Sequence, residues 1–266
     1  MTGRLANKVA LITGGGVGIG AAIARRFAAE GAAVVVTGRR VEPIRAVAAE
    51  IGGLAVAGDT TDNTHLAEAV SAAVAGFGGL DIVVANAGLM AEGDVLSVSD
   101  EAWQQLLEVN LTGAMRLARA ALPALLERGG GAIVNISSVG ALSAAPQTAG
   151  YGVSKAGLLA LTRSLALDYG PHHIRVNTLC PGWVRTPMSE QEMDFLAETR
   201  DISRAEAFKL VSAHLPLRRV AEPEEIANCC LFLASAEASF VTGAVLVADG
   251  GGQIVDVGTL AFAETN

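Results

Sequence analysis

A tyrosine and a lysine four residues apart, Tyr151 and Lys155, are residues whose types and spacing could perform acid–base chemistry. Positions i and i+4 share one face of a helix, so the two side chains can project together. A free tyrosine has a pKa of about 10, and a neighbouring ammonium favours its charged phenolate form. The pair therefore predicts a phenol that can exchange a proton near neutral pH, although the same spacing is also common on ordinary solvated helix faces.

A glycine-rich run, Thr13–Gly20, follows an apolar run and opens a helical pattern. Gly14 would permit a tight turn, Gly18 a close approach of the backbone to a pyrophosphate, and Gly20 close packing of helix on strand. The helix N-terminus would offer free N–H groups and partial positive charge to phosphates. The spacing differs from the common G-x-G-x-x-G fingerprint. It nevertheless predicts a dinucleotide site, the alternative being a merely flexible loop.

The residues after the second apolar run indicate which dinucleotide binds. This segment contains Arg39 and Arg40 and lacks the carboxylate that would accept hydrogen bonds from a ribose 2′-hydroxyl. Guanidinium groups instead suit a phosphate dianion. We therefore predict NADP(H) in preference to NAD(H), unless the two arginines are only the solvated start of a helix.

Short polar segments end two further apolar runs. Ser138 lies at the end of the fifth run, where its hydroxyl could hold a carbonyl or alcohol oxygen. Asn86-Ala87-Gly88 ends the fourth run, where small side chains would let a cofactor lie close to the backbone. Asn110 lies within an apolar helical pattern, either as a core amide or as a residue that bends the helix and holds a water.

These candidate residues require a scaffold in which short apolar runs alternate with helices. The runs are Val9–Ile12, Ala33–Thr37, Leu54–Ala57, Ile82–Ala85, Ala132–Ile136, Arg175–Leu179 and Ala244–Val247. The helical patterns are Gly18–Glu30, Pro43–Ile51, Asn63–Ala75, Glu101–Glu127, Gly150–Tyr169 and Pro223–Ala234. Alternation of this kind predicts right-handed crossovers and an α/β fold, in which a parallel sheet of about seven strands carries helices on both faces.

The whole chain, residues 1–266, is predicted to form a single domain because no Pro/Ser-rich linker divides it. The charged, helical segment 186–217 is predicted to be a substrate lid over the carboxyl edge of the sheet, where open α/β folds bind ligands. Residues 253–266 form a C-terminal tail to which the sequence assigns no role. Asp62 and Ser99 are predicted helix N-caps.

Composition and charge exclude several classes of protein. Hydrophobic residues make up 51% of the chain, too many for a disordered protein, and the net charge of −8 argues against a nucleic-acid partner. The N-terminal sequence predicts no signal peptide, and no apolar stretch predicts a membrane span. Three cysteines without metal-ligand spacing predict a reduced, cytoplasmic protein with no metal site.

In combination, these motifs resemble the short-chain dehydrogenase/reductase family from about Lys8 to Gly252. The matching motifs are TGxxxGxG at Thr13–Gly20, NAG at Asn86–Gly88, Ser138, YxxxK at Tyr151–Lys155, and PG at Pro181-Gly182. The resemblance implies a Rossmann-like, doubly wound fold. It also implies an NAD(P)-dependent oxidoreductase that moves a hydride between nicotinamide and the carbon of a carbonyl or secondary alcohol.

The resemblance further implies a catalytic tetrad. Tyr151 would be the acid in reduction and the base in oxidation, and Ser138 would position the substrate oxygen. Lys155 would bind the nicotinamide ribose and lower the pKa of Tyr151. Asn110 would hold a water that connects Lys155 to solvent.

Cofactor contacts are implied along the whole cleft. Asp59 would lie near the adenine, Asn86 near the adenosine ribose, and Thr186 and the Val184 backbone near the carboxamide. The predicted cofactor-binding residues are Gly14, Gly16, Val17, Gly18, Ile19, Arg39, Arg40, Asp59, Thr60, Asn86, Ala87, Gly88, Tyr151, Lys155, Pro181, Gly182, Val184 and Thr186. Many NADP-using members carry a basic residue where this chain has Val17, so Arg39 must provide most of the 2′-phosphate recognition.

The sequence says less about the substrate. The predicted substrate-binding residues are Ser138, Val139, Leu142, Tyr151, Trp183 and Met188, with Phe195 as a further candidate. Most of these are apolar and favour a hydrophobic ketone or secondary alcohol, although several could equally be core or lid packing.

Two alternative functions remain. One is a reductase of 3-oxoacyl chains on acyl carrier protein, which the six acids and three bases between Glu190 and Lys209 disfavour because that carrier is acidic. The other is a non-catalytic nucleotide-binding regulator, which the presence of Tyr151, Lys155 and Ser138 disfavours. The resemblance also implies a homotetramer or dimer, joined through the helices spanning Glu101–Glu127 and Gly150–Tyr169.

Overall fold

A seven-stranded parallel sheet forms the centre of the computed structural model, which describes residues 3–265 without the side chains of 261 and 263–265. The strands are β1 Val9–Thr13, β2 Ala33–Gly38, β3 Leu54–Ala57, β4 Ile82–Ala85, β5 Gly131–Ile136, β6 Ile174–Pro181 and β7 Val245–Ala248. Their order in the sheet is β3-β2-β1-β4-β5-β6-β7, with every pair parallel. This confirms the predicted strands to within two residues at each end.

The described residues form nine α-helices, most of which pack on the two faces of the sheet. They are α1 Gly18–Ala29, α2 Val41–Ile51, α3 Asn63–Phe77, α4 Asp100–Leu107, α5 Gly113–Glu127, α6 Ala149–Tyr169, α7 Pro187–Arg200, α8 Arg204–Ser212 and α9 Pro223–Ala234 among the residues described. One core cluster joins α1, α2 and α9 to the sheet, and a second joins α3, α5 and α6 to its other face. The central strands are apolar throughout because both of their faces are buried. The fold is therefore the doubly wound, Rossmann-like one.

The predicted helix caps are present. The Asp62 carboxylate accepts a hydrogen bond from the Thr64 N–H at 2.8 Å, and the Ser99 hydroxyl accepts one from the Ala102 N–H at 3.1 Å. Each side chain satisfies one of the N–H groups that the first turn leaves without a helical partner.

The helix predicted from Glu101 to Glu127 is present, but it contains one irregular turn. A π-helical turn at Glu108–Thr112 separates α4 from α5, with Asn110 buried at its centre. The Asn110 amide accepts from the Leu89 N–H at 2.8 Å and donates to the Leu89 carbonyl at 3.0 Å. The helix widens at the polar residue that bonds outside it, as π-turns at functional sites often do.

The segment predicted to be a lid, for which we keep that name, contains α7 and α8 and has a small core of its own. Met193, Ala197, Ala207 and Phe208 form this core, and Trp183 packs against it. The tail follows as short 3-10 turns, the last of them Val257–Thr265, and residue 266 lies outside the described part of the chain. No helix among the described residues combines the length and apolar character that a membrane crossing requires.

Candidate active site

A cleft of about 1080 Å³ opens at the carboxyl ends of the central strands. We call the part beside Thr37–Arg40 and Asp59 its β2 end, and the part beside Tyr151, Lys155 and α7 its lid end. The predicted residues that line it are Gly14, Gly16, Val17, Gly18, Ile19, Arg39, Arg40, Asp59, Thr60, Asn86, Ala87, Gly88, Tyr151, Lys155, Thr186 and Met188. One cavity therefore brings the glycine-rich turn and the Tyr–Lys pair together.

The glycine-rich turn has the conformation that its sequence predicts. Gly14 and Gly18 have φ angles of 65° and 53°, in the left-handed region that glycine adopts freely. A Cβ atom at Gly20 would lie 2.3 Å from the Gly14 carbonyl oxygen, so only glycine allows α1 to pack this closely. No side chain caps the N-terminus of α1, in contrast to α3 and α4. Its free N–H groups line the cleft and suit a ligand phosphate.

Asn86 fixes the glycine-rich turn against β4. Its side-chain amide donates to the carbonyl oxygens of Thr13 at 2.9 Å and Gly14 at 3.2 Å. The Thr13 hydroxyl in turn accepts from the backbone N–H groups of Asn86 and Ala87, each at 3.1 Å. These bonds make Asn86 a positioning residue of the turn, a contact that the predicted role near the adenosine ribose did not include.

The β2 end carries both signs of charge. Arg39 and Arg40 line it with exposed side chains, and the Arg39 Nε lies 3.9 Å from an Asp59 carboxylate oxygen. That carboxylate also accepts from the Thr61 N–H and hydroxyl, each at 2.9 Å. These hydrogen bonds and Arg39 lower the pKa of Asp59 although burial opposes them. A salt bridge this exposed is weak, so the Arg39 guanidinium is free to turn towards a ligand.

Tyr151 and Lys155 lie on one face of α6, as their spacing predicts. The Lys155 ammonium is 5.8 Å from the centre of the Tyr151 ring and donates to the Ile136 carbonyl at 3.0 Å. Ser138 follows β5 and forms a hydrogen bond with the Tyr151 phenol. Its hydroxyl also accepts from the Gly140 N–H at 3.1 Å. Three of the four predicted catalytic residues thus meet at the end of β5.

Burial is the largest influence on the acidity of this pair. It raises the pKa of Tyr151, while the hydrogen bond from Ser138 lowers it and the charge of Glu192 raises it further. Burial also lowers the pKa of Lys155 from 10.5 to about 8. In the protein without ligands, the phenol is thus less acidic than a free tyrosine, opposite to the direction expected from the lysine alone.

Asn110 is connected to Tyr151 through the Ser154 hydroxyl. Besides its two bonds to Leu89, its amide donates to the Ser154 hydroxyl at 3.0 Å, and Ser154 donates to the Tyr151 carbonyl at 2.7 Å. A Cβ atom at Gly88 would lie 3.2 Å from the Lys155 ammonium and 3.3 Å from the Asn110 amide oxygen. Gly88 therefore leaves open the space that Lys155 and Asn110 share.

Several predicted site residues do not line the cleft. In the predicted cofactor-binding set these are Pro181, Gly182 and Val184. Two of them have backbone groups bonded within the protein: the Gly182 N–H donates to the Ala248 carbonyl at 3.0 Å, and the Val184 carbonyl accepts from the Ser189 hydroxyl at 2.6 Å. Among the substrate set they are Ser138, Val139, Leu142 and Trp183. Ser138 interacts with Tyr151, which does line the cleft, whereas Trp183 packs against the core of the lid.

Part of the lid end was not predicted. Met90, Ala91 and Glu92 follow β4 and line the cleft, and Gln191 and Glu192 line it from α7 beside Phe195, the further candidate that the sequence had named. Burial raises the pKa of Glu192, and the charge of Glu92 adds to that effect. Helical spacing from Met188 could have found the α7 residues, because positions i+3, i+4 and i+7 share its face. In the part of the chain that the structure describes, no three His, Cys, Asp or Glu side chains group as metal ligands would.

Comparison with known proteins gives consistent relatives. Residues 15–253 match the family model described as enoyl-(acyl carrier protein) reductase. Protein MoaE of Klebsiella aerogenes is 43% identical over 96% of this chain and 99% of its own length. The 3-alpha-(or 20-beta)-hydroxysteroid dehydrogenase of Mycobacterium tuberculosis is 40% identical, over 94% of this chain and 91% of its own.

Solved structures agree in fold. A protein described as a short chain dehydrogenase/reductase family member superposes with a TM-score of 0.83 at 40% identity, over 95% of this chain and 100% of its own. An actinorhodin polyketide ketoreductase solved with NADPH superposes with a TM-score of 0.88 at 35% identity, over 94% of this chain and 98% of its own.

Proposed function

The chain belongs to the short-chain dehydrogenase/reductase family, whose members here are oxidoreductases of CH–OH groups, and from this premise we propose that Tyr151 is its acid–base residue and NADP(H) its preferred cofactor. The observation that carries the proposal is that Tyr151 and Lys155 line the cleft that the glycine-rich turn opens, with Ser138 interacting with Tyr151. The reaction is the interconversion of a ketone and a secondary alcohol.

The residues of the cleft fit a dinucleotide phosphate. The uncapped N-terminus of α1 would hold the pyrophosphate, and Asn86 keeps the turn in place for it. Arg39, with Arg40 beside it, would exchange the weak contact with Asp59 for a 2′-phosphate, a better partner for a guanidinium fork. The NADPH present in the related ketoreductase supports the same preference.

The mechanism that we propose uses four side chains. Ser138 donates to the substrate oxygen and holds it beside the Tyr151 hydroxyl, which gives a proton in reduction and takes one in oxidation. Lys155, held by the Ile136 carbonyl, supplies positive charge near the phenol. Asn110 keeps Leu89 and the π-turn in place beside Lys155. Bound NADP(H) would supply or accept the hydride, and the proposed mechanism includes no metal.

A mostly apolar ketone or secondary alcohol fits the lid end best, because Met188 and Phe195 line it. The hydroxysteroid dehydrogenase among the relatives supports substrates of this kind. Docking of an acyl carrier protein is disfavoured by the acidic lid. Arg128, a basic residue that could meet such a carrier, donates instead to Asp81 at 3.2 Å, before β5 and away from the cleft.

We also propose a cytoplasmic homotetramer, or a dimer, assembled through α4–α5 and α6. Exposed apolar side chains on these helices support such contacts, notably Leu167 at 79% and Val153 at 50% exposure. The three free cysteines support a reducing compartment. Light scattering of the protein and of Leu167→Asp tests the assembly, since the variant should lower the measured mass if α6 forms the contact.

Replacing Tyr151 with Phe tests the proposed function. The change removes one hydroxyl, so kcat should fall by about a thousandfold or more while NADPH binds with unchanged Kd. Turnover is followed by absorbance of the reduced cofactor over a panel of ketones and alcohols, with NADP(H) and NAD(H) in parallel. Turnover that survives in the variant, or a higher kcat/KM with NAD(H), would refute the corresponding part of the proposal.

A further inference from the structure

Helix α7 presents one face to the cleft. Met188, Gln191, Glu192 and Phe195 all line the cavity, and their spacing places them on one side of the helix. The other side, with Met193 and Ala197, is buried in the core of the lid. This packing fixes which side of α7 faces the ligand.

Glu192 is the half-buried acid on that face. It lines the same cleft as Tyr151, whose pKa its charge raises, and Glu92 lines the cleft from the segment after β4. Neither carboxylate has a hydrogen bond or ion pair to another residue in the part of the chain that the structure describes. On the same helix, by contrast, Asp194 is held by Arg204 at 2.7 Å. Glu192 is therefore available to a ligand.

Among the described residues, no cation at the lid end lies against Glu192. The Lys155 ammonium is committed to the Ile136 carbonyl, and Arg39 and Arg40 lie at the β2 end. A half-buried carboxylate without a partner has lost part of its hydration and has gained nothing in exchange. A ligand ammonium would satisfy it through a charge-assisted hydrogen bond, whereas a ligand carboxylate or phosphate would be repelled.

A cationic substrate would also affect the phenol. The negative charge of Glu192 raises the pKa of Tyr151. An ammonium placed against Glu192 offsets that charge and makes the phenolate easier to form. Recognition of such a substrate and activation of Tyr151 are thus linked through one carboxylate.

We propose that Glu192 determines substrate specificity by accepting a hydrogen bond from an ammonium group on an otherwise apolar ketone or secondary alcohol. The proposal rests on the proposed function, since it concerns the substrate of the same cleft. It assigns Glu192 a binding role and leaves the proton transfer with Tyr151.

The test compares matched substrates in matched variants. The best neutral ketone of the panel is assayed beside derivatives that carry an aminomethyl or a hydroxymethyl group far from the carbonyl. In the wild-type protein the aminomethyl derivative should have a kcat/KM about tenfold above the neutral ketone, the size expected of one charge-assisted hydrogen bond. Glu192→Gln should bring this ratio to about one, and Glu192→Asp should restore part of it.

Glu198→Gln is the control, because Glu198 is exposed on the same helix and does not line the cleft. It should keep the wild-type ratio, and NADPH titration with melting curves verifies that each variant is folded. Three results would overturn the inference: a wild-type ratio near one, a ratio that Glu192→Gln leaves unchanged, or a preference for the hydroxymethyl derivative. Turnover of the neutral ketone would still uphold the proposed function in each of these cases. Absence of hydride transfer to every ketone would refute the proposed function itself, and the inference with it.

Discussion

Replacing Lys155 with Met should stabilise the ligand-free protein while it removes activity. Burial lowers the pKa of this lysine from 10.5 to about 8, because little solvent reaches its ammonium. At 1.36 kcal/mol per pKa unit, keeping that charge buried costs ~3 kcal/mol at neutral pH. The methionine would lose the bond to the Ile136 carbonyl, worth about 1 kcal/mol. The net gain is therefore roughly 1–2 kcal/mol.

The pH dependence distinguishes this cause from simple repacking. The folded-state pKa of Lys155 lies below the unfolded one, so below pH 8 the lysine is charged in both states and the full cost applies. Between about pH 8 and 10.5 Lys155 is neutral in the folded protein and still protonated in the unfolded chain. The free energy of unfolding of the wild-type protein therefore rises with pH across this range. The advantage of Lys155→Met should therefore shrink steadily across that range.

Thermal melting without cofactor, from pH 7 to 10, measures the effect. The Tm of Lys155→Met should exceed that of the wild type by roughly 2–8 °C at pH 7, and the gap should narrow towards pH 10. Lys209→Met removes an exposed lysine and serves as the control, with no gain expected. An equal or lower Tm at pH 7, or a gap that stays constant with pH, would refute the assignment of the cost to a buried charge.

Three further changes test the cleft. Arg39→Ala should raise the KM for NADP(H) about tenfold and leave that for NAD(H) unchanged in steady-state assays, since the proposed role of the guanidinium is to bind the 2′-phosphate alone; equal effects on both would contradict this. Gly20→Ala should weaken NADPH binding in calorimetric titration, because its Cβ would overlap the Gly14 carbonyl. Gly170→Ala is its contrast outside the cleft: Gly170 has a φ of −54° and open space around it, so this change should stabilise the protein by about 0.5–1 kcal/mol in urea unfolding. Ser138→Ala should reduce kcat by about a hundredfold or more with an unchanged Kd for NADPH, and an unaltered kcat would exclude Ser138 from the mechanism.

The sheet could be predicted closely because its strands are nearly continuous apolar runs. Val9–Thr13 and Ile82–Ala85 are buried on both faces, and strands buried in this way consist almost entirely of apolar residues. The π-turn at Glu108–Thr112 could not be predicted as such. One additional residue in a helix barely alters its apolar spacing, and the cause is the contact of Asn110 with Leu89, which is distant in sequence.

The candidate site was predictable where a backbone conformation demanded a residue type. Gly14, Gly18 and Gly20 belong to this group, and so does the helical spacing of Tyr151 and Lys155. The lid end was harder to predict, because Glu192 is one of several acidic residues on a charged helix and its residue type does not distinguish it from its solvent-facing neighbours. The packing of α7 onto α8 shows which of its acids faces inward.

The π-turn also sets the rotational phase between two helices. A turn with i→i+5 bonds holds about one residue more than an α-turn, so α4 and α5 are offset by roughly 100° about their common axis relative to an uninterrupted helix. The apolar side of α5, with Leu117 and Leu125, is anchored in the core of the sheet. Deleting a single residue between Glu108 and Thr112 would therefore leave α5 seated and swing α4 round, carrying the Asn110 position away from Leu89.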